Sequence, residues 1–82
     1  MLLKELLQKN EKVVILLNES NREQFLEQAK KEGFVWYSGK AIQKGDECFF
    51  HIMISRDNTI ANISALCWTM SNEFQSLPTY SF

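Results

Sequence analysis

An unbroken apolar run, Val13 to Leu17, is the feature that most limits how this chain can fold. Three of its residues are β-branched, and apolar side chains at successive positions predict a strand with both faces at least partly covered. Asn18 to Asn21 then breaks the strand, and a helical pattern follows. A strand that leads into an amphipathic helix requires a fold in which helix and sheet lie in layers.

The helix after this strand carries signals at both ends. Ser20 and Glu23 have the spacing of a capping box, in which each side chain accepts a hydrogen bond from an unpaired amide of the first turn. Gly33 is predicted to end the helix, because glycine adopts the left-handed conformation of the C′ position at low cost. The residues expected to face the core are Phe25, Leu26 and Ala29.

The chain beyond Gly33 predicts three or four strands. Phe34 to Tyr37 forms one, Ala41 and Ile42 a short return strand, and Cys48 to Ser55 the clearest, with apolar residues alternating along it. Arg56 to Asn58 is a hairpin loop to a partner strand, Thr59 to Trp68. We therefore predict an α+β fold: a two-layer sandwich whose β-α-β-β-β core packs a mostly antiparallel sheet against one capped helix.

A length of 82 residues allows one domain. Within it we expect a short amphipathic N-terminal helix at 1–10, the α+β core at 12–68, and a C-terminal tail at 69–82 with a helical turn near Phe74 and an extended end after Pro78. The leucine-rich start is too short and too charged for a signal sequence, and no apolar run approaches the ~18–20 residues that cross a bilayer. We therefore expect a soluble, cytoplasmic protein without membrane contacts.

Few residues suggest catalysis or metal binding. His51 is the only histidine, and Cys48 lies three residues before it, so the two side chains point to opposite faces of a strand. The side chain of Cys67 can contact His51 only if the two lie on neighbouring strands. One histidine and two cysteines do not have the sequence spacing of a metal site. Both cysteines lie within apolar runs and are expected to be free and to behave as small hydrophobic residues, with a disulfide between them as the alternative. We expect no enzymatic activity, no cofactor and no metal.

Aromatic side chains on predicted strands, with basic residues in the adjoining turns, suggest a stacking surface for single-stranded nucleic acid. The alternative is that the rings fill the core of a small domain. Nine basic against ten acidic residues give a net charge of −1, without the basic surplus of a dedicated nucleic-acid binder. The candidate nucleic-acid residues are Trp36, Tyr37, Lys40, Lys44 and Arg56.

Apolar residues at both ends of the chain suggest a surface for a protein partner or for a homodimer. Core packing is the alternative for the same residues, because a helix of about two turns is marginal in water and must dock somewhere. The candidate partner-binding residues are Leu2, Leu3, Leu6, Phe74, Leu77, Tyr80 and Phe82.

The segment Lys31 to Gly39, with Phe25 and Leu26 in the helix before it, resembles small uncharacterised proteins of phages and prophages in Gram-positive bacteria. In those proteins a strand and a helix lead into a Gly-aromatic-x-Trp-x-Ser-Gly segment and then a short antiparallel sheet. The resemblance covers Val13 to Asn62 and transfers no catalytic residues. It implies a mobile-element origin and an accessory role in a bacterial host, commonly by stoichiometric binding that includes inhibition of host or defence proteins.

Together these patterns predict a small non-enzymatic accessory protein that acts by stoichiometric protein–protein binding. The alternative hypothesis is a nucleic-acid-binding accessory protein that uses the strand aromatics and nearby lysines.

Overall fold

Five strands form one mixed sheet in a computed structural model that describes residues 2–82. The order across the sheet is β2-β4-β3-β1-β5, in which β1–β3 and β3–β4 are antiparallel and β1–β5 and β2–β4 are parallel. The α+β class is confirmed, and the sheet is mixed: its two longer strand pairings are antiparallel and its two shorter ones are parallel. The strands are β1 (Lys12–Leu16), β2 (Val35–Trp36), β3 (His51–Ser55), β4 (Thr59–Ile63) and β5 (Thr79–Ser81).

Four helices accompany the sheet in the described residues: α1 (Leu3–Leu6), α2 (Arg22–Lys31), α3 (Ala65–Met70) and α4 (Asn72–Gln75). The predicted N-terminal helix included Met1, which lies outside the described residues. None of these helices has the length and apolarity needed to span a membrane.

The main core lies between α2 and one face of the sheet. Strand alternation places the core residues on this face, and the register sets Val13 opposite Ile54 and Ile15 opposite Ile52. The predicted helix residues Phe25, Leu26 and Ala29 are buried in the same cluster. The apolar run Val13 to Leu17 therefore directs alternate side chains toward α2, as a strand covered by a helix must.

The C-terminal end of α2 confirms the role predicted for Gly33. Its φ is +91°, its N–H donates to the Lys30 carbonyl at 3.1 Å, and the Phe34 N–H donates to the Ala29 carbonyl at 2.9 Å. This pair of bonds is a Schellman motif, which satisfies carbonyls that the end of the helix leaves unpaired.

The capping box predicted at the start of α2 is wrong. The N-cap is Asn21, whose side chain makes no cap hydrogen bond. Asn18 supplies the competing interaction, because its Oδ1 accepts hydrogen bonds from the Ser20 N–H at 2.9 Å and from the Ser20 hydroxyl at 2.6 Å. The Asn18 side chain thus forms an Asx turn with Ser20, and the Ser20 hydroxyl binds Asn18 instead of capping the helix.

Strands β2, β3 and β4 are shorter than predicted, and β2 covers only Val35 and Trp36 of the predicted segment Phe34 to Tyr37. The strand predicted from Cys48 begins at His51, because the side chain of Asn62 binds the preceding backbone: its Oδ1 accepts from the Phe49 N–H at 2.8 Å and its Nδ2 donates to the Glu47 carbonyl at 3.1 Å. The strand predicted for Thr59 to Trp68 ends at Ile63. Beyond it the chain is helical, and this correction determines the candidate site described below.

The turns near the sheet follow the prediction more closely. The hairpin loop Arg56 to Asn58 is confirmed: Ser55 pairs with Thr59, and Asn58 has a φ of +69°. The return strand predicted at Ala41 and Ile42 is reduced to a single bridge between Ala41 and Val35.

The C-terminal tail is part of the sheet. The helical turn expected near Phe74 is confirmed as α4, and the extended end predicted after Pro78 is β5, which runs parallel to β1 with Thr79 beside Val14. The Phe82 ring then meets the Phe25 ring edge-on, with centroids 5.5 Å apart. The tail thus packs on the core, which is the alternative that the sequence left open.

The N-terminal helix is held by one carboxylate. Glu32, just after α2, accepts hydrogen bonds from the N–H groups of Leu3 and Lys4 at 2.8 and 2.9 Å, and from the Gln28 side chain at 2.8 Å. Leu3 and Leu7 are buried in the main core. Helix α1 therefore docks on this domain through its leucines and through a negative charge at its N-terminus.

Candidate functional site

Helix α3 is attached to the second face of the sheet by an aromatic contact. The Trp68 ring stacks on His51 of β3, with centroids 4.7 Å apart and planes inclined by 26°. By strand alternation His51 points away from α2, so α3 lies over the face opposite the main core. This helix adds a partial second covering of the sheet, which a two-layer sandwich with one helix does not include.

Side-chain hydrogen bonds cap both ends of α3. Ser64 is its N-cap, and the Ser64 hydroxyl oxygen accepts a hydrogen bond from the Cys67 N–H at 3.1 Å. At the other end the side chain of Gln75, from α4, donates to the carbonyls of Trp68 and Thr69 at 2.8 and 3.0 Å. No residue of α3 is fully buried, and the contacts that hold the helix include these hydrogen bonds and the ring stack.

The outward side of α3 is apolar. Leu66 and Met70 are 71% and 77% exposed, and Cys67 beside them is also exposed. Residues one turn apart lie on the same side of a helix, so Leu66 and Met70 are adjacent, whereas Trp68 points the other way. We call Leu66, Cys67 and Met70 the α3 surface.

Charged residues are nearly absent from the stretch of chain that contains α3. From Thr59 to Phe82 the only charged residue is Glu73, and α3 itself carries none. The α3 surface therefore has no charged side chain of its own to desolvate, and an apolar contact with a similarly uncharged partner would carry little desolvation penalty.

The predicted partner-binding residues do not form one exposed surface. Leu3 is fully buried and belongs to the core, and Leu6 and Phe82 pack against that core. Leu2 is 53% and Tyr80 38% exposed. The two remaining candidates, Phe74 and Leu77, are half-buried. For Leu3 this corrects the partner-binding interpretation, because a residue without exposed area cannot contact another chain.

The predicted nucleic-acid residues are also dispersed. Trp36 and Lys40 line a cleft of about 540 Å³ together with Asp46 and Glu47, so the cleft carries both signs of charge. The indole N–H of Trp36 donates to Asp46 Oδ2 at 2.7 Å. Hydrogen bonds from the Gln43 backbone N–H and from this indole lower the pKa of Asp46, which keeps the carboxylate charged beside the ring.

The other three nucleic-acid candidates lie in different settings. Tyr37 is 76% exposed, and Lys44 lines a separate cleft of about 500 Å³ beside α2. Arg56 donates to the carbonyls of Leu7 and Gln8 at 3.1 and 3.4 Å. Arg56 thus holds the end of α1 and is not part of the Trp36 cleft.

The thiols and the histidine are not arranged as a nucleophile and its base. Cys48 is buried, and burial raises the pKa of its thiol to about 11 despite the opposing influence of Arg22. Cys67 is exposed on α3, and the two thiols are free, so the disulfide alternative is wrong. His51 uses its ring to stack on Trp68. Among residues 2–82, no three His, Cys, Asp or Glu side chains are grouped so that they can hold a metal ion.

The α3 surface does not follow from the predicted elements, because the prediction places Ala65 to Trp68 in a strand. Two signals for the helix are present: Ser64 stands three residues before Cys67, the spacing of an N-cap bond, and Leu66 and Met70 have helical spacing.

Comparison with protein-family models, with curated proteins and with solved structures gave no match. The resemblance to phage and prophage proteins stays a prediction.

Proposed function

We propose that this protein acts by stoichiometric binding to another protein, and that the α3 surface is the binding site. The observation that carries the proposal is a helix whose large apolar side chains, Leu66 and Met70, are both more than two-thirds exposed. Contiguous exposed apolar patches mark interaction sites, and Leu66 and Met70 are adjacent on one side of α3.

The energetic gain on binding follows from this exposure. Full burial of a leucine or methionine side chain contributes roughly 1.5–3 kcal/mol, so covering the exposed part of Leu66 and Met70 contributes roughly 2–4 kcal/mol together. A few such residues carry most of the free energy of a typical interface. The α3 surface would therefore be the centre of a larger contact, in which surrounding residues mainly exclude water.

The partner proposed is a host protein with an exposed apolar, uncharged patch. Because α3 has no charged side chain, we expect recognition through apolar contacts. The mobile-element origin that the resemblance implies makes a bacterial host or defence protein the expected target. Occupying such a patch would inhibit the target by excluding its usual partner.

The test compares the double variant Leu66→Ser/Met70→Ser with the wild-type chain in pull-downs from Gram-positive bacterial lysate. Any protein captured only by the wild type is purified and titrated by calorimetry, where we expect one-to-one binding that the double variant weakens by at least about 30-fold, or about 2 kcal/mol. The matched control is Tyr37→Ser, which removes an equally exposed ring elsewhere and should bind like the wild type. If the double variant binds the same proteins with unchanged affinity, the proposed site is wrong.

A second candidate function is nucleic-acid binding, favoured by the exposure of Tyr37 beside the cleft that Trp36 and Lys40 line. Titration of the tryptophan fluorescence with single-stranded DNA and RNA at low salt tests it. A saturable change that Tyr37→Ser weakens would support this function, and a flat trace would exclude it.

A further inference from the structure

The two edges of the sheet differ in how they are covered. At the β2 edge, Val35 bridges to Ala41, and the Trp36 N–H donates to the Lys40 carbonyl at 2.9 Å, so a loop lies along the strand. At the opposite edge, no strand lies beyond β5 in residues 2–82, and all of its residues are exposed.

The hydrogen bonds to β1 determine which backbone groups of β5 remain free. The Val14 N–H donates to the Pro78 carbonyl at 2.8 Å, and the Phe82 N–H donates to the Leu16 carbonyl at 3.1 Å. Alternate residues of a strand direct their backbone groups to opposite sides, so Tyr80 also faces β1. The N–H and C=O groups of Thr79 and Ser81 therefore point away from the sheet.

The short length of β5 is its main protection against pairing. Natural edge strands are protected by being very short, by charged side chains, by a proline within the strand or by a bulge. Strand β5 has three residues, but the segment Leu77 to Phe82 has no charged residue, and its proline, Pro78, precedes the strand. An uncharged edge with aligned donors and acceptors can accept another strand.

We propose that β5 pairs antiparallel with β5 of a second copy of this chain, which joins two five-stranded sheets into one of ten strands. In an antiparallel ladder, a hydrogen-bonded pair of residues exchanges both of its N–H···O bonds. Only the outward residues can form such pairs, so Thr79 lies opposite Ser81 of the second copy and Ser81 opposite its Thr79. This register uses every outward backbone group of β5.

A second copy fits this edge better than an unrelated strand because the arrangement is self-complementary. Tyr80 falls on the two-fold axis opposite Tyr80 of the second copy, in a position without hydrogen bonds where side chains lie closest. Its ring is 38% exposed in the single chain and gains an aromatic neighbour. The absence of charge in the strand means that no like charges meet across the axis. This dimer is independent of the α3 surface and goes beyond the proposed function.

The first test is a cysteine cross-link in a Cys67→Ser background, which removes the exposed native thiol. In the proposed register the two Tyr80 Cα atoms lie ~4.5 Å apart, within disulfide range, whereas the two Thr79 Cα atoms lie ~8 Å apart, beyond it. Under mild oxidation Tyr80→Cys should form a covalent dimer, and the matched control Thr79→Cys should form no covalent dimer. Absence of the Tyr80→Cys dimer, or equal cross-linking of both variants, would overturn the register.

The second test measures dimer affinity by sedimentation equilibrium and does not depend on cysteine chemistry. Thr79→Lys/Ser81→Lys places like charges opposite each other at both pairs, and Thr79→Lys/Ser81→Glu places opposite charges at the same positions. We expect the first variant to dimerise about 30-fold more weakly than the second. Equal affinities would refute the pairing, as would a wild-type chain that stays monomeric to about 1 mM.

A separate control distinguishes the dimer from the proposed function. Leu66→Ser/Met70→Ser lies outside β5 and should dimerise like the wild type, whatever the outcome of its pull-down. Loss of dimerisation in this variant would assign self-association to α3 and contradict the β5 pairing.

Discussion

Replacing Glu32 tests how much of the stability depends on docking α1. The Glu32 carboxylate accepts hydrogen bonds from the N–H groups of Leu3 and Lys4 and from the Gln28 amide. Glu32→Ala removes all three contacts, and Glu32→Gln keeps one accepting oxygen but removes the charge. We expect both variants to be destabilised, the alanine variant more strongly.

The magnitude follows from the number and setting of these bonds. A shielded hydrogen bond to a charged group contributes ~1.5–3 kcal/mol, and the partial exposure of Glu32 reduces this to about 1 kcal/mol for each backbone N–H. Glu32→Ala should therefore cost about 2 kcal/mol and Glu32→Gln about 1 kcal/mol. For a domain of this size these losses lower the Tm by ~8–16 °C and ~4–8 °C, measurable by circular dichroism.

The pH dependence of the stability separates the contribution of the Glu32 charge from that of the hydrogen-bond geometry. Burial raises the pKa of Glu32, but the bonds from Leu3, Gln28 and Lys4 outweigh it, so the folded-state pKa lies below the ordinary value of 4.5. A lowered pKa stabilises the fold above pH 4.5, and this contribution is lost as the pH falls through the folded-state value. The wild type should therefore lose its stability advantage over Glu32→Gln on acidification.

Urea titrations of the wild type and Glu32→Gln at neutral pH and at about pH 3 measure this difference directly. Asp46 also has a lowered pKa, but it is present in both chains and cancels in the comparison. A constant difference between the two chains at both pH values would show that the carboxylate charge contributes nothing, and the reasoning about Glu32 would be refuted.

Three further predictions concern single residues. Gly33→Ala should cost about 1 kcal/mol in urea unfolding, because φ is +91° while the space for a Cβ is open; an unchanged midpoint would contradict this. A thiol reagent at neutral pH should modify Cys67 rapidly and Cys48 only on unfolding, since Cys48 is buried and the pKa of its thiol is about 11; two fast thiols would contradict this. Trp68→Ala should remove the stack on His51 and speed amide exchange in α3 relative to β3, and unchanged exchange would show that other contacts hold α3.

The elements that the sequence predicts correctly are those with local causes. Gly33 ends α2 because its own backbone adopts a positive φ. Asn58 also adopts a positive φ, in the hairpin loop. Strand β3 follows from its alternation, with Ile52 and Ile54 buried. In each case the residues that determine the structure lie within a few positions of it, so the pattern along the chain is sufficient.

The errors arise where a local sequence pattern competes with another interaction. Ser20 has the spacing of an N-cap residue, but its own N–H donates a hydrogen bond to the side chain of Asn18, two residues earlier. The stretch after Ile63 is apolar and was assigned to a strand, whereas the Ser64 cap and the stack of Trp68 on His51 favour a helix. The second of these contacts joins distant parts of the chain, which a periodicity argument does not include.

Strand β5 shows what sequence patterns leave undetermined. Its residues are exposed and its length is three, so neither alternation nor burial distinguishes it from a tail. Its pairing with β1 brings together Thr79 and Val14 from the two ends of the chain. Pairing over such a distance depends on the assembled sheet, and the dimerisation proposed for β5 depends on it too.

The exposure of the α3 surface follows from how α3 is connected. Before the helix, β4 ends beside His51, on which Trp68 stacks; after it, α4 leads into β5, which is hydrogen-bonded to β1. Both attachments fix the rotation of α3 about its axis, and turning Leu66 inward would give up the ring stack and the bonds from Gln75. The apolar side therefore faces outward as a consequence of contacts at both ends of the helix, and a partner can cover it without rearranging the sheet.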